Sequence, residues 1–496
     1  MICCHGRLFL LLAVAASGAG AAPAAAPGPS GSSHVELDIM ESLLPAAGAS
    51  SSCPTSQELK HGIPAVGTRM PLVHRHGPCS PLADTERRRP SHTDILAADQ
   101  RRVEHIHRRV FHTTTTTGPR RHRRKLMSTA SALPTLSGNG RGTSNYLVTI
   151  GLGVPAACVT VALDTGSDTT WVQCNRCVDY CYPQDEPLFT PAKSSTYTNI
   201  SCTSSYCSDL SYSSSSYCNR GGLCIYQIEY GDDGDGGRSF TVGYYAHDTL
   251  TLANDSFREF RFGCGEKNSG LFGHVSGVMG LGRGNTSLAM QAYYGMNGSV
   301  FAYCLPGKDS DTGFMVFGPP GSIDASLDET PMLTGDGPTF YYVRLTGIKV
   351  GGHLLPIPAS VFSAAGALID SGTTITRLPP SAYAPLRSAF AAGMARLGYR
   401  ETSGFYSLDT CYNLTGLKGK VALPAVSLVF QGGASLDVHG SGILYVPDVS
   451  QACLAFQPNE DDADVAIVGS MQQKSYIVLY DIGRKVVGFA NVGVGC

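Results

Sequence analysis

Two short stretches of the chain place a carboxylate where it could act on a bond. Val161-Ala162-Leu163-Asp164-Thr165-Gly166-Ser167 and Ala367-Leu368-Ile369-Asp370-Ser371-Gly372-Thr373 are each an apolar run closed by Asp-[Thr/Ser]-Gly-[Ser/Thr]. A single Asp-Thr-Gly is common and mostly marks a turn after a strand. Here each copy is followed by an apolar pair and a glycine, Val278-Met279-Gly280 lying 116 residues after Asp164 and Ile467-Val468-Gly469 lying 99 after Asp370. That is an internal repeat, and it predicts two equivalent halves. Two carboxyls brought together suit acid–base chemistry on water. Like charges a few ångströms apart cannot both ionise easily, so one apparent pKa falls, the other rises, and the pair shares a proton over an acid range. One carboxylate can then draw a proton from water while the other acid protonates the group that the water attacks. Asp164 and Asp370 are the candidate catalytic pair.

The elements that must hold them are mostly strands. From Tyr146 onward the chain is a series of short β-rich runs punctuated by glycine: 146–151, 159–163, 224–230, 260–262, 339–350 and 426–430. Helical signals are few. The best is 381–397, with Tyr383, Leu386, Phe390 and Met394 on one face after Pro379–Pro380; a second, 94–110, lies upstream and meets a threonine tract at 113–117. A mostly-β body of this size exceeds one core. The Pro/Gly/Asp-rich passage 318–337 is the natural seam between two lobes.

The net charge of −2 conceals an asymmetry. Residues 1–130 hold 16 Lys+Arg against 9 Asp+Glu (+7), residues 131–496 hold 21 against 30 (−9), and ten of the 14 histidines lie in the first 130. A basic, His-rich head precedes an acidic body. Composition excludes a coiled coil and a wholly disordered chain. The one marked apolar run, 8–16, follows Arg7, precedes small residues and is too short to span a bilayer, which is the layout of a secretory signal peptide. The 17 cysteines agree with that compartment. Thirteen lie in the body and seven of these crowd between Cys174 and Cys224, which reads as disulfides in preference to a zinc site built on Cys174, Cys177 and Cys181. Thirteen is odd, and Cys158, entering a buried strand alone, is expected to be the free thiol. Five N-x-[ST] sequons, Asn199, Asn254, Asn285, Asn297 and Asn413, are glycosylation candidates. Residues 23–60, rich in Ala, Pro, Gly and Ser, read as linker.

The repeated Asp-[Thr/Ser]-Gly stretches, together with Phe262-Gly-Cys-Gly265, Gly280-Leu-Gly-Arg-Gly284, Tyr303-Cys-Leu-Pro306, Leu408-Asp-Thr-Cys-Tyr412 and Val486-Val-Gly-Phe489, resemble the pepsin family of aspartic endopeptidases, and its nepenthesin-like plant branch in particular. The resemblance covers nearly all of residues 140–496. It implies a bilobal β fold with a central cleft, in which the shared proton described above is the family's general behaviour. It also implies bonding of Thr165 and Ser371 across the lobe junction, support of the outer carboxylate oxygens by the Ser167 and Thr373 hydroxyls, and tight turns at Gly166 and Gly372. Tyr230 then matches the flap tyrosine and Trp171, the only tryptophan, its support. Two departures stand out. About five extra residues, in a Gly-rich stretch carrying Asp232, Asp233 and Asp235, lengthen the flap tip, which predicts altered substrate selection and disfavour for acidic peptides; Ser470 stands where Asn is usual.

The expected organisation is a signal peptide at 1–22, a basic propeptide at 23–135, an N-terminal lobe at 136–318, a connection at 319–337 and a C-terminal lobe at 338–496. The expected product is an endopeptidase acting on proteins or peptides at acid pH, inhibited in the precursor by its own propeptide through charge complementarity, with release following the carboxylates on acidification. It is expected to be a monomer of the secretory pathway, in the apoplast or vacuole in preference to the chloroplast, with no cofactor, metal or membrane span. DNA binding by the arginine run 120–125, suggested by a chloroplast-nucleoid relative, is disfavoured. The competing class is an inert pepsin-like inhibitor; such relatives usually lose one Asp or its Gly, and both are kept here.

Overall fold

Short runs of small, aliphatic and β-branched residues, ACVTVALD at 157–164 and ALI at 367–369, build the strands that carry the carboxylates. The structure is a computed structural model of the chain and describes residues 33–39, 67–82, 91–115 and 146–496, the last with short interruptions at 211–213, 233–237, 271, 296–299, 320, 322, 324, 335–336, 338, 418 and 493–495. Strand Tyr146–Leu152 pairs antiparallel with Ala157–Asp164, which delivers Asp164 at its end. Strand Gly277–Gly280 slots between Ala157–Asp164, to which it is parallel, and Trp171–Gln173, to which it is antiparallel, with Gly280 opposite Asp164. Trp171–Gln173 continues in parallel onto Asp255–Ser269.

The second half repeats this arrangement. Ala466–Val468 lies between parallel Ala367–Ile369 and antiparallel Thr376–Leu378, and the latter continues in parallel onto Phe456–Pro458. The sequence repeat is therefore a repeat of strand topology, with one carboxylate per copy. Strands of the two halves are joined in one large sheet through Val300–Cys304, Tyr476–Asp481 and Val486–Asn491. Its buried face stacks Phe301 on Tyr480 at 4.5 Å, an aromatic contact that adds to the apolar burial. The fold is mostly β and bilobal in the pepsin manner.

The basic head is not separate from this body. Strand Thr68–His74 enters the large sheet between Thr312–Gly318 and Tyr146–Leu152. Helix His92–Thr115 lies in the cleft between the lobes; it reaches Thr115, so the threonine tract does not stop it where it begins. Residues 23–60 are not all linker: His34–Asp38 is a strand paired with Lys420–Pro424, because Leu37 alternates with charged neighbours and is buried, as is the following Ile39.

Elsewhere the helix expected at 381–397 is Pro380–Arg396, and the run 339–350 is two strands, Tyr341–Val343 and Leu345–Val350, broken at exposed Arg344. Six disulfides join Cys174–Cys264, Cys177–Cys181, Cys202–Cys218, Cys207–Cys224, Cys304–Cys496 and Cys411–Cys453, so none of these thiols is left for zinc. Cys158 is not the free thiol: it is disulfide-bonded, and it lies at the exposed start of its strand rather than in the buried part. The expected signal segment 1–22, the arginine run 120–125, the flap tip 233–237 and Asn297 lie outside the described residues. Among the described residues no helix is long and apolar enough to cross a membrane.

Candidate active site

Each carboxylate sits at a strand end, followed by a turn whose backbone and hydroxyl groups fix its two oxygens differently. In the first half Gly166 N–H donates to Asp164 Oδ1 (3.0 Å) and Ser167 Oγ to Oδ2 (2.5 Å). In the second half Gly372 N–H donates to Asp370 Oδ1 (3.1 Å) and Thr373 Oγ1 to Oδ2 (2.6 Å). The two turns are bolted together: Ser371 N–H donates to Thr165 Oγ1 at 2.9 Å, and Thr165 N–H to Ser371 Oγ at 3.1 Å. Both aspartates are buried, as are the six residues that bind or bridge them. The hydroxyls implied by the resemblance converge on one point, joined by the Gly166 and Gly372 backbone amides that it did not name.

The two glycines serve a different purpose from the one the sequence suggests. Neither takes a positive φ. A Cβ on Gly166 would stand 2.8 Å from Asp370 Oδ1, and one on Gly372 would stand 2.7 Å from Asp164 Oδ1. Glycine is required so that the opposite carboxylate can approach, not for the turn itself. Below the pair, Gln473 Nε2 donates to Val468 O (2.9 Å) while its Oε1 accepts from Tyr303 Oη (2.5 Å), a buried support that sequence reading did not single out.

A third side chain completes the cluster. Arg102, on the cleft helix, donates from Nη2 to Asp164 Oδ1 (2.5 Å) and Asp370 Oδ1 (2.9 Å), and from Nε to Asp370 Oδ2 (2.9 Å). Its side chain is 11% exposed. Burial alone would push the Asp370 carboxyl up, but the Arg102 guanidinium, with the Thr373 hydroxyl and Gly372 amide, holds it below the usual range. Burial likewise opposes the Arg102 charge, and the two carboxylates reverse that and raise its pKa. The sequence showed an Arg101–Arg102 pair but gave no means of choosing Arg102 among the head's 16 basic residues.

The cleft helix seats apolar side chains on either side of that arginine. Leu96 packs with Ile375, Leu408, Tyr445 and Met471. Val103 and Ile106 pack with Phe340, Tyr342, Leu368 and Ile467. The helix histidines are not surface cations waiting for acid. His105 is pushed down to about 3 by burial and by Arg109, Arg102 and Arg108, and burial lowers His92 and His107 as well. Burial therefore opposes protonation of these three histidines while the helix is docked.

Over the helix closes a hairpin of Cys224–Asp232 and Arg238–Leu252. Its register slips between Glu229 and Gly231, so Tyr230 occupies a bulge, a device that re-aims a side chain. Tyr230 Oη accepts from Trp171 Nε1 at 2.8 Å, the partnership expected from the sequence. Burial and nearby Asp164 raise the Tyr230 pKa, so its hydroxyl stays protonated. Of the sequons, Asn254, Asn285 and Asn413 are exposed, whereas Asn199 is half-buried and accepts from Tyr197 Oη at 2.7 Å.

The family sequence models described as xylanase inhibitor N-terminal and C-terminal match residues 146–319 and 340–491. An aspartyl protease family protein of Arabidopsis thaliana is 45% identical over 460 residues, 92% of each chain. Nepenthesin-2, an aspartic proteinase of Nepenthes gracilis, is 35% identical over 71% of this chain and 79% of its own. Among solved structures, soybean basic 7S globulin covers 71% of this chain and 92% of its own with a TM-score of 0.55 at 22% identity, a likeness of fold. With one supported carboxylate at the end of each repeated strand motif and relatives matching along its length, the chain belongs to the pepsin-like aspartic protease family of plants.

Proposed function

We propose that the chain is the precursor of an aspartic endopeptidase that hydrolyses peptide bonds at acid pH, and that residues 92–115 hold it inactive. The observation that carries this reading is the completeness of the carboxylate pair. Both Asp residues, both close-approach glycines, both outer-oxygen hydroxyls and the Thr165–Ser371 bridge are present, as is a flap tyrosine held by Trp171. With the helix displaced, Asp164 and Asp370 lose their shared cation. Two like charges at that separation then favour a single shared proton, and a water between the inner oxygens meets both a base and an acid. A peptide carbonyl seated there gains a proton as that water adds; the amine leaves with a proton returned by the pair. In the precursor, Arg102 occupies the inner oxygens that this step needs.

The secretory pathway is part of the same proposal. The disulfides and three exposed sequons support it, and the charge split suits a basic head held on an acidic body until acid neutralises the body's carboxylates. The test is a peptidase assay on the acid-treated precursor with and without pepstatin, beside Asp164→Asn and Asp370→Asn. Activity is expected in the parent chain alone. Cleavage that survives either substitution would refute the pair assignment, and a parent chain that binds pepstatin without cleaving would favour the inhibitor class.

A further inference from the structure

The two halves repeat one topology, but they differ at one equivalent position. Seven residues after each catalytic-pair aspartate, the first half has Trp171 and the second has Arg377. Trp171 stands opposite Val278 and Arg377 opposite Ile467, the same place in each motif. Trp171 holds the flap tyrosine. Arg377 holds the cleft helix instead.

Arg377 is 3% exposed. Its Nη2 donates to Asp99 Oδ2 (3.1 Å) and its Nη1 to Gln100 Oε1 (2.9 Å), while its Nε has no acceptor. Both acceptors belong to the cleft helix. Asp99 is wholly buried and also accepts from the backbone N–H groups of Thr374 (2.5 Å) and Ile375 (3.2 Å). The body therefore offers a carboxylate three converging donors, two backbone amides and a guanidinium, all within seven residues of Asp370. A charged acceptor suits such a set better than a neutral one, because hydrogen bonds to an ionised group are shorter and about twice as strong. An aspartate in an otherwise basic head meets an arginine of an otherwise acidic body, so this contact opposes the overall charge pattern and points to a specific site.

We propose that the Thr374–Ile375–Arg377 pocket is a substrate subsite that selects peptides with a carboxylate side chain close to the scissile bond, and that Asp99 occupies it in the precursor. The inference rests on the protease reading above and names its substrate class. Asp99 precedes Arg102 by three residues. At about 1.5 Å rise per residue that is roughly 4.5 Å along the helix, or one to two residues of an extended peptide at about 3.3 Å each. The acidic side chain should therefore lie one or two positions from the cleaved bond. When the helix leaves, Arg377 loses both acceptors, and an uncompensated cation in the cleft wall is the state a substrate carboxylate relieves.

The test is a position scan on the acid-activated full chain, assayed near pH 5, where a free glutamate of pKa about 4.3 is largely ionised. One Glu, Gln or Lys is moved through each position of a peptide that carries a neutral cleavage site. Glu is expected to exceed Gln in kcat/KM on the order of tenfold at one position near the bond, with Lys below both. In Arg377→Gln the Glu:Gln ratio should fall to near one whatever the absolute rate, and in Arg377→Lys part of it should return. Asp99→Asn changes only the departing head, so enzyme from that precursor must keep the preference. A general penalty from flap-tip aspartates would lower Glu peptides in both parent and Arg377→Gln, and is separable by this ratio. A flat Glu/Gln scan in the parent would overturn the inference even if Arg377→Gln fails to fold, and so would a ratio that Arg377→Gln leaves unchanged. Absence of any cleavage would instead overturn the protease reading and this inference with it.

Discussion

His105 should make the docked head yield to mild acid before the carboxylates do. The sign follows from proton binding. A released helix carries histidine with a pKa near 6.5, whereas docking pushes His105 down to about 3, so release takes up a proton. The contribution of neutral His105 to docking is complete above 6.5 and is lost as pH falls toward 3. No carboxylate offsets this: the groups acting on the ring are the cations Arg102, Arg108 and Arg109, and the flap backbone at Gly231 packs against it. Each pH unit in that window weakens docking by about 1.4 kcal/mol, so a fall from 6.5 to 4.5 removes about 3 kcal/mol, roughly a hundredfold in the opening equilibrium. The carboxylate contacts run later. Asp370 is held low beside Arg102, and Asp309, half exposed, is lowered to about 2: partial desolvation opposes this, and His74, Lys474 and His76 overcome it. Those contacts persist until the pH drops below the ordinary carboxylate range. The assay is binding of a fluorescent pepstatin to an Asp164→Asn precursor, or to an Asp370→Asn one, from pH 7 to 3.5, with His105→Gln beside each. The parent should open progressively from about pH 6 downward; His105→Gln should lose most of that dependence and open only near pH 4. Identical pH profiles for the two chains would refute the reasoning.

Arg102→Met should expose the cleft at neutral pH, because removing one partner of a buried ion group costs about 3–5 kcal/mol; pepstatin binding at pH 7 by the variant and not by the parent is the check. Trp171→Phe should keep the fold but free Tyr230 from its 2.8 Å hydrogen bond, lowering kcat/KM on the order of tenfold with a Tm change of a few degrees. Cys496→Ser opens a loop that spans 192 residues between Cys304 and Cys496, and should cost about 2–5 kcal/mol in denaturant unfolding.

The carboxylate pair was legible because the groups that support it are local. Asp, Gly and a hydroxyl residue within four positions form a single turn, and the same turn occurs twice. Trp171 and Tyr230 were legible through their order in a resembling family. What the sequence could not reveal was partner choice across the cleft. Arg102 is one basic residue among many, distinguished only by lying one helical turn past Asp99 on the face that carries Leu96. Arg377 sits between Thr376 and Leu378 in a short strand, and nothing local marks it as facing an aspartate 278 positions upstream. The state of His105 was equally hidden: it follows burial and three nearby arginines, which composition does not register. The strand His34–Asp38 was masked by its Ala- and Ser-rich flanks, although Val35 and Leu37 alternate with polar residues as a strand requires.

The strand Thr68–His74 has one more consequence. Six of its residues are in register with Thr312–Phe317, and its last two reach Leu147 and Tyr146. With His34–Asp38 held along Lys420–Pro424 as well, the head is woven into the body at two places besides the cleft. Scission of the chain anywhere between residues 116 and 145 would therefore leave a nicked particle of two polypeptides, still one object by size. Departure of the head would be a second event, and it would uncover an unpaired sheet edge, the kind of surface that recruits another strand. Whatever covers that edge afterwards decides whether the freed body stays dispersed or aggregates.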